Sequence, residues 1–125
     1  MTVNELMKSA HALCGEGAPA PYLSAFGAPW VNALMAENFE TEQNIRRTAQ
    51  RPALEKIPVL TALSEEVPYD EGLVNSAFVF GLAAFIADAG CDRELASSFR
   101  NRYMLGAQTA AKAFEHAIFD CYGEE

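Results

Sequence analysis

Apolar residues recur at helical spacing along most of this chain, and the breaks in that pattern mark its elements. Val3, Leu6, Met7, Ala10 and Leu13 repeat every three or four positions and predict an amphipathic first helix, stopped by Gly15. Thr2 and Glu5 stand ahead of it at capping-box spacing. Residues 16–21 are rich in Gly and Pro and read as a linker, and 22–26 as a short turn. From Pro29, a residue suited to a first helical turn, a second helix runs through Trp30, Ala33 and Leu34, with Val31 and Met35 on a neighbouring face. Residues 39–50 still favour helix but turn polar, with Phe39, Ile45 and Ala49 as their buried positions. The second helix either continues through them or breaks near Asn38. Arg51 precedes Pro52, and a residue before proline is pushed out of the α region, so helix ends there. Residues 52–68 follow no regular pattern. Their apolar piece, 57–63, predicts an extended segment or one short strand, with pairing to another subunit if no partner exists in the same chain.

Asp70 is the predicted N-cap of a third helix. Over residues 73–89 only Asn75, Ser76 and Asp88 interrupt an otherwise apolar surface. A helix without a real polar face is buried on most sides. In a protomer this small, the expectation is burial partly by other subunits. Gly81 costs ~1 kcal/mol relative to Ala inside a helix, which predicts close approach of another helix. Gly90 closes this element and Asp92 caps a fourth, amphipathic helix of roughly 28 residues, about 40 Å long. Leu95, Phe99, Tyr103, Gly106, Ala110, Ala113, Phe114, Ala117 and Cys121 form its packing face; residues 123–125 form a frayed acidic end. The expected fold is all-α: a small helical bundle in which the long C-terminal helix packs on the buried apolar helix. It is one domain, 1–125, with its core in 2–38 and 70–122 and an irregular, Pro-rich arm extending or projecting over 39–69.

Composition narrows the function classes. Half of the 125 residues are hydrophobic, enough for one modest core. A net charge of −8 argues against a protein that wraps nucleic acid electrostatically. Four of the nine basic residues, Arg46, Arg47, Arg51 and Lys56, fall in one short segment and are candidate DNA-facing or partner-facing charges. Pairing of Glu42 with Arg46 at i,i+4 is the competing reading. Cys14, Cys91 and Cys121 suit thiols in a reducing compartment. The longest apolar run, 77–87, is about half of the ~20 residues a membrane span needs, so a soluble, cytoplasm-made protein without membrane contact is expected. Glu65, Glu66, Asp70 and Glu71 could serve as an acid–base or cation cluster, but they precede a helix, where anionic side chains are stabilising. His11 and Cys14 lie one helical step apart; without a third ligand they read as structure, and His116 has no ligand spacing around it. No catalytic set, metal site or cofactor is expected.

The remaining candidates are apolar. Trp30 is a core anchor or an interface contact, and Ile57, Val59, Leu60, Tyr69, Phe78, Phe80 and Phe85 join it as candidate inter-subunit or partner-interface residues. Several motifs occur in a telling order: the opening Met1-Thr2-Val3-Asn4-Glu5-Leu6 with a short helix and Gly15, then Ile57-Pro58-Val59-Leu60. Val67-Pro68-Tyr69, Gly81-Leu82-Ala83-Ala84 and the Phe99/Tyr103 pair on the last helix follow. In this order the chain resembles the phage head-to-tail adaptor (connector) proteins. The resemblance implies an α-helical protomer in a ring of about twelve copies. Such a ring docks beneath the portal, contacts tail or neck proteins, retains packaged DNA and lets it pass through the lumen without sequence-specific contact. Its place is the virion neck, after synthesis in the host cytoplasm. The alternative is a small helical protein-interaction or regulatory module acting as a dimer.

Overall fold

A computed structural model describes residues 1–15 and 25–122, with side chains to residue 112. The linker at 16–21, most of the 22–26 turn, the acidic end and the side chains of Phe114, His116 and Cys121 lie outside the described residues. The chain is mostly helical, without a strand among the described residues.

Helix α1, Val3–Leu13, starts where the Thr2 hydroxyl accepts the Glu5 amide proton at 3.1 Å and donates to the Glu5 carboxylate at 3.2 Å. Helices α2, Gly27–Glu37, and α3, Phe39–Thr48, are separated at Asn38. Asn38 leaves the helical region (φ −108°, ψ 15°), and its side-chain amide donates to the Leu34 carbonyl at 2.8 Å. This is the local competition that makes Asn a helix breaker. Helix α4, Glu71–Ala89, is capped by the Asp70 carboxylate, which accepts the Gly72 N–H at 3.0 Å. A π turn, Val74–Phe78, lies inside α4. Helix α5, Arg93–Tyr122, begins under the Asp92 carboxylate, which accepts the Leu95 N–H at 3.1 Å.

Helix α4 occupies the centre, with α5 along one side and α1 and α2 covering others. Leu73, Ala77, Phe78 and Leu82 are fully buried in this way. The protomer's own helices therefore cover more than half of α4, and the expectation of partial burial by other subunits concerns the remainder. The membrane reading is corrected in its premise. By length and composition alone Glu71–Ala89 could cross a bilayer, yet more than half of it is buried inside the protomer, as in a core helix. Gly81 is the contact point expected of it: a Cβ there would stand 2.8 Å from Leu34 Cδ2 on α2 and 3.2 Å from Tyr103 on α5.

Three helices end the same way. At Gly15, Gln50 and Cys91 the backbone turns left-handed (φ 78°, 58° and 60°). After α3 and α4 the next two amides close back on the last turn: Gln50 N–H to Arg47 O with Arg51 N–H to Arg46 O, and Cys91 N–H to Asp88 O with Asp92 N–H to Ala87 O. The stop after α4 is thus Cys91, one residue beyond Gly90. A left-handed non-glycine residue costs about 1–2 kcal/mol, partly offset by glycine's larger unfolded-state entropy. Cys91→Gly is expected to stabilise the protein by about 0.5–1 kcal/mol, read as a higher urea midpoint at unchanged slope.

The segment between α3 and α4 is fastened to the helices by side-chain amides. Leu60 exchanges two bonds with the Asn32 side chain (2.8 and 2.9 Å), and Leu54 exchanges two with the Gln43 side chain (2.7 and 2.8 Å). Its far end pairs with the chain start: Thr2 and Glu66 form an isolated antiparallel bridge, and the Met1 amino group meets the Glu66 carboxylate at 2.9 Å. Side-chain amides at helical positions thus satisfy a strap that lacks a sheet partner, the physical requirement for buried backbone groups.

Candidate interaction surfaces

Positions flagged by the sequence divide into three groups. Leu60, Tyr69 and Phe78 lie inside the protomer and leave the interface set. Tyr69 donates its hydroxyl to the Met35 carbonyl at 2.6 Å and packs on Phe78, ring centres 5.6 Å apart. Phe80 is half-buried beside Phe99 at 6.4 Å, with the Arg102 guanidinium 5.7 Å from its ring centre. Trp30 lies between Phe26 and Phe85 in a stack, 5.5 Å from each. Only Ile57 and Val59 are fully outward, Val59 at 72% exposure.

Sequence reasoning passed over three exposed apolar residues, Phe26, Met104 and Leu105, and placed a fourth, Leu13, on the packing face of α1, where it is exposed. Phe26 falls at the edge of a presumed turn, and the structure makes it the outer leaf of the aromatic stack. Met104 and Leu105, 52% and 63% exposed, sit one helical step beyond Arg100 and Asn101, on the face of α5 that otherwise carries charge and amide groups. An apolar pair on a polar face was the available signal.

The charged candidates also separate. Arg46 faces inward: its guanidinium donates to the Glu42 carboxylate at 2.6 Å, to the Pro52 carbonyl at 3.2 Å and to the Pro68 carbonyl at 2.7 Å. Glu42 is fully buried and its second oxygen accepts the Asp70 N–H at 2.7 Å. This corrects Arg46 as a DNA-facing charge, and the i,i+4 pair is the one expected as its competitor. Arg47, Arg51 and Lys56 are exposed. Arg47 and Arg51 line a shallow hollow of about 480 Å³ with Phe39, Gln43 and Asn44.

The acidic residues are occupied with local structure. One Glu65 oxygen accepts from the Thr61 N–H, the Thr61 hydroxyl and the Ala62 N–H at 2.9–3.1 Å, which holds this carboxyl below its ordinary pKa. Asp70 caps α4 and Glu66 meets the Met1 amino group. His11 is buried on α1, and the Cys14 thiol approaches the Ala83 carbonyl at 3.6 Å. Among the described residues, no three His, Cys, Asp or Glu side chains are grouped to hold a metal.

Burial, then the Glu42 carboxylate, push the Tyr69 phenol up to about 12, against a smaller opposing effect of Arg46. The folded-state value exceeds the unfolded one of about 10. The stabilisation is therefore intact below pH ~10 and lost as pH rises towards the folded value. Unfolding free energy is expected to fall by up to about 2–3 kcal/mol across that window from this group. Urea titrations should show a smaller alkaline loss in Tyr69→Phe, which starts lower at neutral pH for want of the Met35 bond.

A second hollow, about 310 Å³, opens between α2, α4 and α5. Leu34, Gly81, Ala84, Phe85 and Met104 give it an apolar floor and wall, and Glu37 and Arg100 stand at its rim. Glu37 accepts the Tyr103 hydroxyl at 2.5 Å, and that hydroxyl accepts from Asn38 at 2.8 Å. Burial, then the hydrogen bond to Glu37, raises the Tyr103 pKa, so the phenol stays protonated. Arg100 pairs with Asp88 at 3.0 Å, both half-exposed, an ion pair of small net worth. No family model, curated protein or solved structure matches the chain.

Proposed function

We propose that this chain is a structural component of a phage virion neck, a small helical bundle that repeats in a ring of about twelve copies joining portal to tail. Its partners are further copies of itself, the portal protein and tail or neck proteins. DNA passes through the lumen without sequence-specific contact. The observation that carries this reading is the set of large apolar side chains left outside a protomer that has already covered its own core. Phe26, Ile57, Val59, Met104 and Leu105 are all exposed. Such surface, rimmed by charge, marks protein–protein contact. The net charge of −8 suits a channel wall that repels DNA and lets it slide. The order of motifs that resembles the connector proteins supports the neck in particular.

The test is negative-stain electron microscopy of the purified protein, alone and mixed with phage portal protein. Closed rings, seated coaxially on the portal when it is present, are the expected result. A stable two-fold dimer that ignores the portal would replace this reading with that of a dimeric interaction module. A monomer under all conditions would remove both.

A further inference from the structure

Two apolar features of the protomer are unoccupied, and they match each other. The first is a projection. Along the strap, Pro58 and Leu60 turn inward while Ile57 and Val59 turn outward, and the two residues before them are Glu55 and Lys56, both exposed. The second is the hollow between α2, α4 and α5, with Leu34, Ala84, Phe85 and Met104 inside and Glu37 and Arg100 on its rim. The projection is two apolar side chains with a base and an acid beside them; the hollow is an apolar floor with an acid and a base beside it. Among the described residues, Lys56 makes no ion pair, Glu37 accepts only from the neutral Tyr103 hydroxyl, and Arg100 holds only the half-exposed pair with Asp88, which Glu55 can share or replace.

Their placement prevents one copy from filling its own hollow. The strap is fastened to α2 through Asn32, which exchanges two bonds with Leu60. The hollow is floored by Leu34 and rimmed by Glu37 of the same helix. At about 100° per residue, Asn32 points roughly 160–140° away from Leu34 and Glu37. Projection and hollow therefore lie on opposite sides of α2, which makes any contact between them head-to-tail. A head-to-tail contact repeats from copy to copy and closes into a ring when the rotation allows.

We infer that the occupant of the hollow is a second copy of this chain: Ile57 and Val59 of one protomer seat on Leu34, Ala84, Phe85 and Met104 of the next, with Lys56 meeting Glu37 and Glu55 meeting Arg100. This rests on the ring reading above and names the contact that builds it. Val59 is the centre of the contact, an aliphatic side chain that loses its exposure on entering a preformed pocket. Met104 lies at the pocket mouth, where an unbranched thioether adapts to the incoming side chains. Lys56 and Glu37 fix the direction of approach, since a copy turned round would set like charges together.

The test uses the full chain, with mass measured by sedimentation and light scattering over a wide concentration range. Val59→Glu and Met104→Glu alter exposed positions, so each folds, as helical circular dichroism and an unchanged urea midpoint will show. Each is expected to move assembly to at least about tenfold higher concentration, the loss expected for truncating one central contact. Lys56→Glu weakens assembly in the same direction, and adding Glu37→Lys restores it. The deciding mixture combines Val59→Glu with Met104→Glu. The first keeps its hollow and the second keeps its projection, so together they form a one-to-one pair and grow no further. Assembly of the wild type that survives all three single variants overturns this contact and leaves the ring reading standing. A wild type that never associates overturns both.

Discussion

Replacing Arg46 with alanine is expected to destabilise the protein by about 3–5 kcal/mol, the range for breaking one side of a buried ion pair. The reason is Glu42. Its carboxylate is 0% exposed, and Arg46, itself only 12% exposed, supplies the opposing charge at 2.6 Å. Removing the guanidinium leaves a charge that neither water nor another cation reaches. It also removes the donor to the part-buried Pro68 carbonyl, and to the Pro52 carbonyl, which is exposed and open to water. Arg46→Lys should recover little, because an ammonium cannot present the planar fork that meets a carboxylate and two carbonyls together. Glu42→Leu combined with Arg46→Leu should recover only part, since the Asp70 N–H and the Pro68 carbonyl lose their partners. Arg47→Ala, one residue along and exposed, should stay within about 0.5 kcal/mol of wild type. Urea unfolding followed by circular dichroism gives all four values. A small effect of Arg46→Ala would mean that Glu42 reaches solvent. The same variant tests the route from packing to function. Arg46 holds the strap that carries Ile57 and Val59, so a folded remnant should assemble less well than its stability alone explains.

That pair shows where sequence reading works and where it stops. The spacing of Glu42 and Arg46 is visible from the chain alone; that the pair is buried is not. Burial arises because the strap folds over α3, and the strap has no periodicity from which its path could be read. Its anchors, Asn32 and Gln43, are amides on a helix surface, a residue type that sequence patterns assign to solvent. The helices were legible for the opposite reason. Thr2, Asp70 and Asp92 cap through bonds within three residues, so their signal is local. Asn38 likewise breaks the helix through Leu34, four residues away. The centre of the fold was legible in part. An apolar α4 announces burial, but its pattern does not say whether α1, α2 and α5 or a second subunit provides it. The candidate interface set suffered accordingly. Aromatic residues were selected by type, and Tyr69 and Phe78 prove to be core. Met104 and Leu105, selected by nothing but their place on a polar face, were missed.

The second large effect is expected at Gly106, where α5 crosses the π turn of α4. A Cβ built on Gly106 stands 2.0 Å from the Ser76 carbonyl oxygen, 2.7 Å from its carbon and 3.2 Å from the Ala77 Cα. All three are backbone atoms, so no side chain can rotate aside. Where a methyl would be, glycine presents a hydrogen to the Ser76 oxygen, the arrangement of a Cα–H···O contact between close helices. Gly106→Ala must part the two helices by roughly 1 Å, and this loosens packing along their whole shared length. Helix propensity pulls the other way by ~1 kcal/mol. Overpacking and lost contacts outweigh it, and a net loss of about 2–3 kcal/mol is expected. For a domain of this size that lowers Tm by roughly 10 °C. Gly90→Ala separates sterics from propensity. Its Cβ would meet nothing closer than the Ala87 carbonyl oxygen at 3.6 Å, and φ there is −85°. That variant should be neutral or slightly stabilising. If Gly106→Ala behaved like Gly90→Ala, the two long helices would not pack backbone to backbone, and the π turn would lose its account as the place where α4 meets α5. With both variants in hand, assembly adds a further reading. Met104 and Tyr103 lie within one turn of Gly106, so parting the helices shifts the wall of the hollow. Gly106→Ala should therefore weaken association at temperatures where it remains folded, and Gly90→Ala should leave it unchanged.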